Sequence, residues 1–184
     1  MLFEVVGNAI NEALAGHCSR IEVILNADGS ATVSDNGRGI PTDMHPCEGI
    51  SAAEFVVTRL GTYPQGTRNV ADELHGVGLA VVNALSDVLD LRVWRNGKEH
   101  FMRCRMSEPD AALAVVGAAD LPDGNRRRGT EITFLPSRKI FTNTEFDFTT
   151  IEHRLRGLTC PDAGVTVALS DRRGVESKQI VFDL

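Results

Sequence analysis

The chain opens in the rhythm of a helix: Phe3, Val6, Ile10 and Leu14 fall three or four residues apart and form one apolar stripe, with no capping residue ahead of them. Glu4, Asn8 and Glu12, each four residues beyond the last, share a second, polar face of that helix. Gly16 supplies its stop. A chain that begins inside a helix reads as a fragment. Residues 21–25 are rich in β-branched side chains, and a turn at Ala27, Asp28, Gly29 and Ser30 leads to a second strand over 31–35, which makes a hairpin. That strand runs into Asn36-Gly37-Arg38-Gly39-Ile40-Pro41, a stretch with too many glycines for regular structure. A capping box from Ser51 to Glu54 opens a helix that reaches about Leu60. A polar loop over 61–73 follows, and a further helix begins near Gly76 with Leu79, Val82 and Leu85 inward.

The remainder reads mainly as strand, over 88–95 and 98–106 around an Asn96-Gly97 turn, then over 112–116, 130–135, 165–170 and 176–182. A second capping box, Thr149 to Glu152, predicts a helix with Ile151, Leu155 and Leu158 inward. Helices early and hairpins late favour an α+β layer sandwich over a doubly wound parallel sheet. The 184 residues suit one domain.

Charge and cysteine content narrow the function classes. Nineteen Lys and Arg against 25 Asp and Glu leave a net charge of −6, a poor basis for binding nucleic acid alone, since that affinity comes from clustered cations releasing counterions. The run Arg126-Arg127-Arg128 lies in a Gly/Asn-rich loop and reads as a solvated turn. Cys18, Cys47, Cys104 and Cys160 are scattered without metal-ligand spacing, as reduced thiols of a cytoplasmic protein would be. No apolar run approaches the roughly 18 residues that span a bilayer. No G-x-x-x-x-G-K-[ST] loop is present, and Gly76-Val77-Gly78 has Val81 where a dinucleotide fingerprint needs its third glycine. Amides at the start of the helix that follows could still meet an anion. His75 reads as structural, and His17 with Cys18 has no third ligand nearby.

The chemistry concentrates in four blocks: Glu4-x-x-x-Asn8-x-x-x-Glu12, Asp35-Asn36-Gly37-Arg38-Gly39, Leu74-His75-Gly76-Val77-Gly78 and Gly129-Thr130. In this order they resemble the ATP-binding fold shared by type II DNA topoisomerases, Hsp90 chaperones, MutL proteins and histidine kinases, the GHKL or Bergerat fold. Residues 4–17, 34–41, 74–86 and 128–137 are most similar to the gyrase B family, with topoisomerase IV B subunits as near neighbours. The resemblance spans essentially the whole chain. It implies a two-layer sandwich in which a mixed, mostly antiparallel sheet carries helices on one face, and a single ATP-binding domain over 1–184 without an N-terminal arm or C-terminal transducer domain.

It also implies roles, residue by residue. Glu12 would be the general base that polarises water for attack on the γ-phosphate, with Arg38 as its partner. Asn8 would give its amide oxygen to Mg²⁺, which takes one or two protein oxygens beside phosphate and water. Asp35 would accept a hydrogen bond from the adenine amine, aided by Thr130. Gly37, Gly39 and Ile40 would form the base pocket, and Leu74, Gly76, Val77 and Gly78 would lie along the phosphates. Arg38, Pro41 and Arg95 would rim a pocket for aminocoumarin inhibitors, since a guanidinium stacks well on aromatic rings. The implied partners in a full-length enzyme are the gyrase A subunit and DNA, whose strand passage and negative supercoiling ATP would power. The isolated fragment is expected to be a monomer, away from membranes, and weakly active at most.

Two departures from the family pattern stand out. Gly7 replaces a usual aspartate, and a glycine in a helix interior costs about 1 kcal/mol against alanine. Residues 61–73 replace a longer, glycine- and lysine-bearing lid and end in Asp72 and Glu73, which would repel phosphate. The alternative reading is therefore a nucleotide or inhibitor module that has lost turnover.

Overall fold

Alternation along the strands decides which face of the sheet is covered. In the computed structural model, which describes residues 1–59, 78–121, 124–158 and 164–184, the elements run α1 (Leu2–Leu14), β1 (Arg20–Leu25), β2 (Ala31–Asp35), α2 (Ala52–Thr58), α3 (Gly78–Ala84), β3 (Ser86–Arg95), β4 (Lys98–Arg105), β5 (Glu108–Pro109), β6 (Ala114–Ala118), β7 (Gly129–Pro136), α4 (Phe148–Arg156), β8 (Thr166–Asp171) and β9 (Lys178–Asp183). The strands form one sheet in the order β5-β4-β3-β7-β2-β1-β8-β9, and β6 also pairs with β4. Every pairing is antiparallel except that of β1 with β8.

Register turns this alternation into continuous rows. Met102, Leu91, Ile132, Val33, Val23 and Leu169 are successive partners across six strands, and all are buried. Cys104, Leu89, Phe134, Ala31 and Leu25 make a second buried row. Both join the core with the inward sides of the helices. The opposite face carries cross-strand ion pairs, among them Arg92 with Glu99 and Arg103 with Asp90. Burying one Val, Leu, Ile or Phe contributes about 1.5–3 kcal/mol, whereas an exposed ion pair adds roughly 0.2–1. The rows under the helices therefore dominate stability.

The helices differ from the sequence reading in detail. α1 buries Leu2, Val5, Val6, Ala9, Ile10 and Ala13, so its packed face is rotated from the expected stripe and Leu14 is exposed. Phe3 lies under the Arg154 guanidinium, 4.1 Å from its ring centre. Gly16 ends the helix at φ +77°, with its N–H on Ala13 O and the His17 N–H on Glu12 O, a Schellman arrangement. Helix α4 is capped by Asp147, whose carboxylate accepts from Thr150 N. The predicted box at Thr149 falls inside the helix because this carboxylate, two residues earlier, takes the cap. Ser51 does cap α2, accepting from Glu54 N at 3.1 Å. Ser51→Ala should lower stability by about 1 kcal/mol, which thermal melts would register as a fall of about 2–4 °C.

The Asn96-Gly97 turn has φ +53° and +73°, as a two-residue hairpin requires. Arg127 is more than the solvated turn residue expected: its guanidinium lies 3.3 Å from the Trp94 ring centre and 3.6 Å from Glu131. The expected loop over 61–73 lies outside the described residues.

Candidate functional site

A third inward row crosses the sheet through His100, Val93 and Thr130, and on the other side through Ile21 and Val167. Between Thr130 and Ile21 stands Asp35, the partner of Ile21. Here the row turns polar, and a pocket opens beneath α1. Its lining comprises Val5, Asn8, Ala9, Asn11 and Glu12 of α1, Val33 and Asp35 of β2, Gly39 and Ile40 of the following loop, Leu79 of α3, and Thr130 and Ile132 of β7. Packing of the opposite side of α1 into the core holds Asn8, Asn11 and Glu12 at this opening.

The loop after β2 is tied down residue by residue. Gly37 N donates to Asp35 Oδ1 at 2.8 Å. Arg38 N donates to Glu12 Oε1 at 2.8 Å. Gly39 O accepts from Arg95 Nη1 at 2.7 Å, and Ile40 N donates to Thr130 Oγ1 at 3.1 Å. Four consecutive residues thus answer to β2, α1, β3 and β7 in turn. Gly37 has no room for a side chain, because a methyl group there would overlap Glu12 Cγ and stand 2.9 Å from Asp35 Oδ1. Gly129 is equally constrained: it sits at φ +125°, and a methyl group would collide with the carbonyl oxygen of Asp35. This close approach brings Thr130 N to 3.3 Å from Asp35 Oδ1.

Asp35 therefore accepts two backbone N–H groups on Oδ1, while Oδ2 takes no hydrogen bond among the described residues. Its carboxyl is pushed up to about 6 because burial, helped by the Glu12 charge, outweighs the Gly37 and Thr130 amides that pull it down. Glu12 behaves in the opposite sense. Burial raises its pKa, but the hydrogen bonds and charge of Arg38 outweigh that and hold it below the usual carboxylate value. Both Glu12 oxygens are engaged, Oε1 by Arg38 Nε at 2.8 Å and Oε2 by Arg38 Nη2 at 3.0 Å. Glu4, two turns earlier on the same helix, is exposed, and its carboxylate makes no hydrogen bond or ion pair among the described residues. Its Oε2 lies against Gly78 at the start of α3, where a methyl group would come within 2.8 Å of it.

The structure thus brings Asn8, Glu12, Asp35, Gly39, Ile40 and Thr130 around one pocket. Gly37 and Arg38 act behind its wall, Gly78 abuts Glu4, and neither Pro41 nor Arg95 is among the lining residues. Leu74, Gly76 and Val77 lie outside the described residues. Sequence reasoning missed Asn11, although its place one residue before Glu12 was a signal, and it missed the apolar walls from Val5, Ala9, Val33, Leu79 and Ile132.

Comparison with known proteins places this geometry. Residues 1–140 match the family model of the histidine kinase-, DNA gyrase B-, and HSP90-like ATPases. The chain is 52% identical to the DNA gyrase B protein of Rickettsia bellii over 99% of its own length and 22% of the relative's. It is 50% identical to the Caulobacter vibrioides gyrase B protein over 96% of the chain and 23% of that protein. It therefore spans about a fifth to a quarter of the length of these curated relatives. Among solved structures, the 43K ATPase domain of Thermus thermophilus gyrase B in complex with an aminocoumarin matches with a TM-score of 0.82 and 41% identity, covering 98% of this chain and 44% of that one. A polar notch in a mixed sheet, a polar helix face above it and a family match over three quarters of the residues agree: the chain belongs to the histidine kinase-, DNA gyrase B-, and HSP90-like ATPases.

Proposed function

We propose that this chain is the ATP-binding and hydrolysing part of a gyrase-type DNA topoisomerase, acting with a gyrase A subunit on DNA in the cytoplasm. The observation that carries the reading is the adjacent pair Asp35 and Thr130, set between Val93 and Ile21 with a carboxylate oxygen left for a ligand N–H. An adenine amine suits that oxygen, and the glycine-bounded wall leaves space for a flat base. Asn8 lines the pocket above it. The neutral amide oxygen of Asn8 is a hard donor that suits a cation such as Mg²⁺ shared with ligand phosphates. Bound there, Mg²⁺ would offset phosphate charge.

For the water-polarising carboxylate, the geometry favours Glu4 over Glu12, to which the resemblance gave that role. Glu12 is committed to Arg38 through both oxygens and is depressed in basicity, whereas the Glu4 carboxylate takes no partner among the described residues and can receive a proton from water. Glu12 then acts as the anchor of Arg38 and of the loop. The aminocoumarin bound by the Thermus relative would occupy the same pocket. No described helix is long and apolar enough to cross a membrane.

Phosphate release from ATP with and without Mg²⁺ tests the proposal. Slow, Mg²⁺-dependent release is expected. ADP binding without any release would favour the alternative, a nucleotide module that has lost turnover.

A further inference from the structure

Arg95 closes β3 immediately before the Asn96-Gly97 turn, where an arginine is ordinarily a solvated surface charge. Its Nη1 instead donates to Gly39 O at 2.7 Å and to Arg38 O at 3.2 Å, while Nε is buried with no hydrogen-bond partner among the described residues. None of its atoms lines the pocket. An N–H buried without an acceptor persists where other contacts fix the side chain, and here those contacts are two successive loop carbonyls. The base of the side chain is equally fixed, since β3 pairs with β4 through Arg95 and Lys98 and with β7 through Val93 and Thr130.

From this geometry we infer that Arg95 is a positioning residue, a rigid post that sets the Arg38-Gly39 carbonyls and thereby the Glu12 clamp and the Ile40 to Thr130 bond of the nucleotide pocket. The inference rests on the proposed nucleotide reading only for its effect on affinity. Its effect on the loop is independent of any ligand. Removing the guanidinium frees two carbonyls at once, and the neighbouring amides, Arg38 N on Glu12 and Ile40 N on Thr130, lose the backbone setting that aims them. Lysine offers one compact ammonium where arginine offers a planar fork, so it should restore the post only in part.

Amide hydrogen exchange on the ligand-free protein, beside ADP titration, tests this with Arg95→Ala and Arg95→Lys. Arg95→Ala should speed exchange at Arg38 and Ile40 at least about tenfold while β1 amides stay protected, and should weaken ADP by about tenfold. Arg95→Lys should fall between it and the parent on both readouts. Unchanged exchange at Arg38 and Ile40 overturns the inference. If ADP weakens without that change, Arg95 is a direct ligand contact instead. A rise in exchange shared by β1 means general destabilisation and also overturns it. Should ADP fail to bind the parent chain, the nucleotide reading falls while the exchange arm still decides the role of Arg95.

Discussion

Glu4→Gln should leave adenine nucleotide bound and lower phosphate release by ~100- to 10,000-fold, the usual worth of a positioned general base. Glutamine preserves shape and lacks the carboxylate's basicity, so an effect on turnover alone would isolate the chemical role. The contrast with Glu12→Gln makes the result specific. That change strips charge from a residue whose two oxygens receive Arg38 Nε, Nη2 and backbone N, so it should loosen the loop and reduce affinity and stability together. Charge-assisted hydrogen bonds contribute about 1.5–3 kcal/mol each, which places the expected stability loss at several times that of an ordinary surface substitution. Single-turnover phosphate release, ADP titration and thermal melts on both variants separate the two glutamates. If Glu12→Gln halts release with affinity and melting unchanged while Glu4→Gln remains active, the base is Glu12, as the resemblance implied.

Asp35→Asn is expected to weaken ADP by about 1–3 kcal/mol, because an amide donor would then face the adenine amine and leave buried groups mispaired. A pH signature accompanies it. The Asp35 carboxyl, pushed up to about 6 from its ordinary 3.8, must be ionised to accept from the base, so ADP affinity should fall as pH drops through about 6. The sign for folding is opposite. Between about pH 4 and 6 the native state holds a proton that the unfolded chain has released, so this group's contribution to stability is full at low pH and declines as pH rises through that window. In Asp35→Asn both slopes should disappear. A parent affinity flat from pH 5 to 8, or a variant that binds as the parent does, would remove Asp35 from base recognition.

Which parts of this were legible beforehand follows from how each signal is encoded. The hairpins, the Asn96-Gly97 turn and the cap at Ser51 depend on neighbours in sequence, and the structure has them. The cap of α4 went to Asp147 rather than Thr149 because two nearby capping residues compete, and only geometry decides between them. The blocks around Asn8, Asp35 and Thr130 carried enough resemblance to bring these residues to one pocket. The difference between Glu4 and Glu12 was hidden: both lie on one helix face, and the Arg38 clamp that engages only Glu12 spans 26 residues. Arg95 was expected at the pocket rim, but its hold on the loop was hidden for the same reason, since its bond to Gly39 crosses 56 residues. Gly129 was read only as the residue leading Thr130; its close approach to Asp35 belongs to a strand pairing between β2 and β7.

Whether Asp35 receives the amino group of adenine is decided by titrating the chain calorimetrically with ADP and with inosine diphosphate. The two ligands share ribose and phosphates and differ in the base, where a carbonyl replaces the amino donor. ADP should bind at one site, and inosine diphosphate should bind at least about tenfold more weakly, a gap of about 1.4 kcal/mol, because its carbonyl would face the Asp35 oxygen as a second acceptor. Equal affinity for the two, or no binding of ADP, would remove Asp35 from adenine recognition.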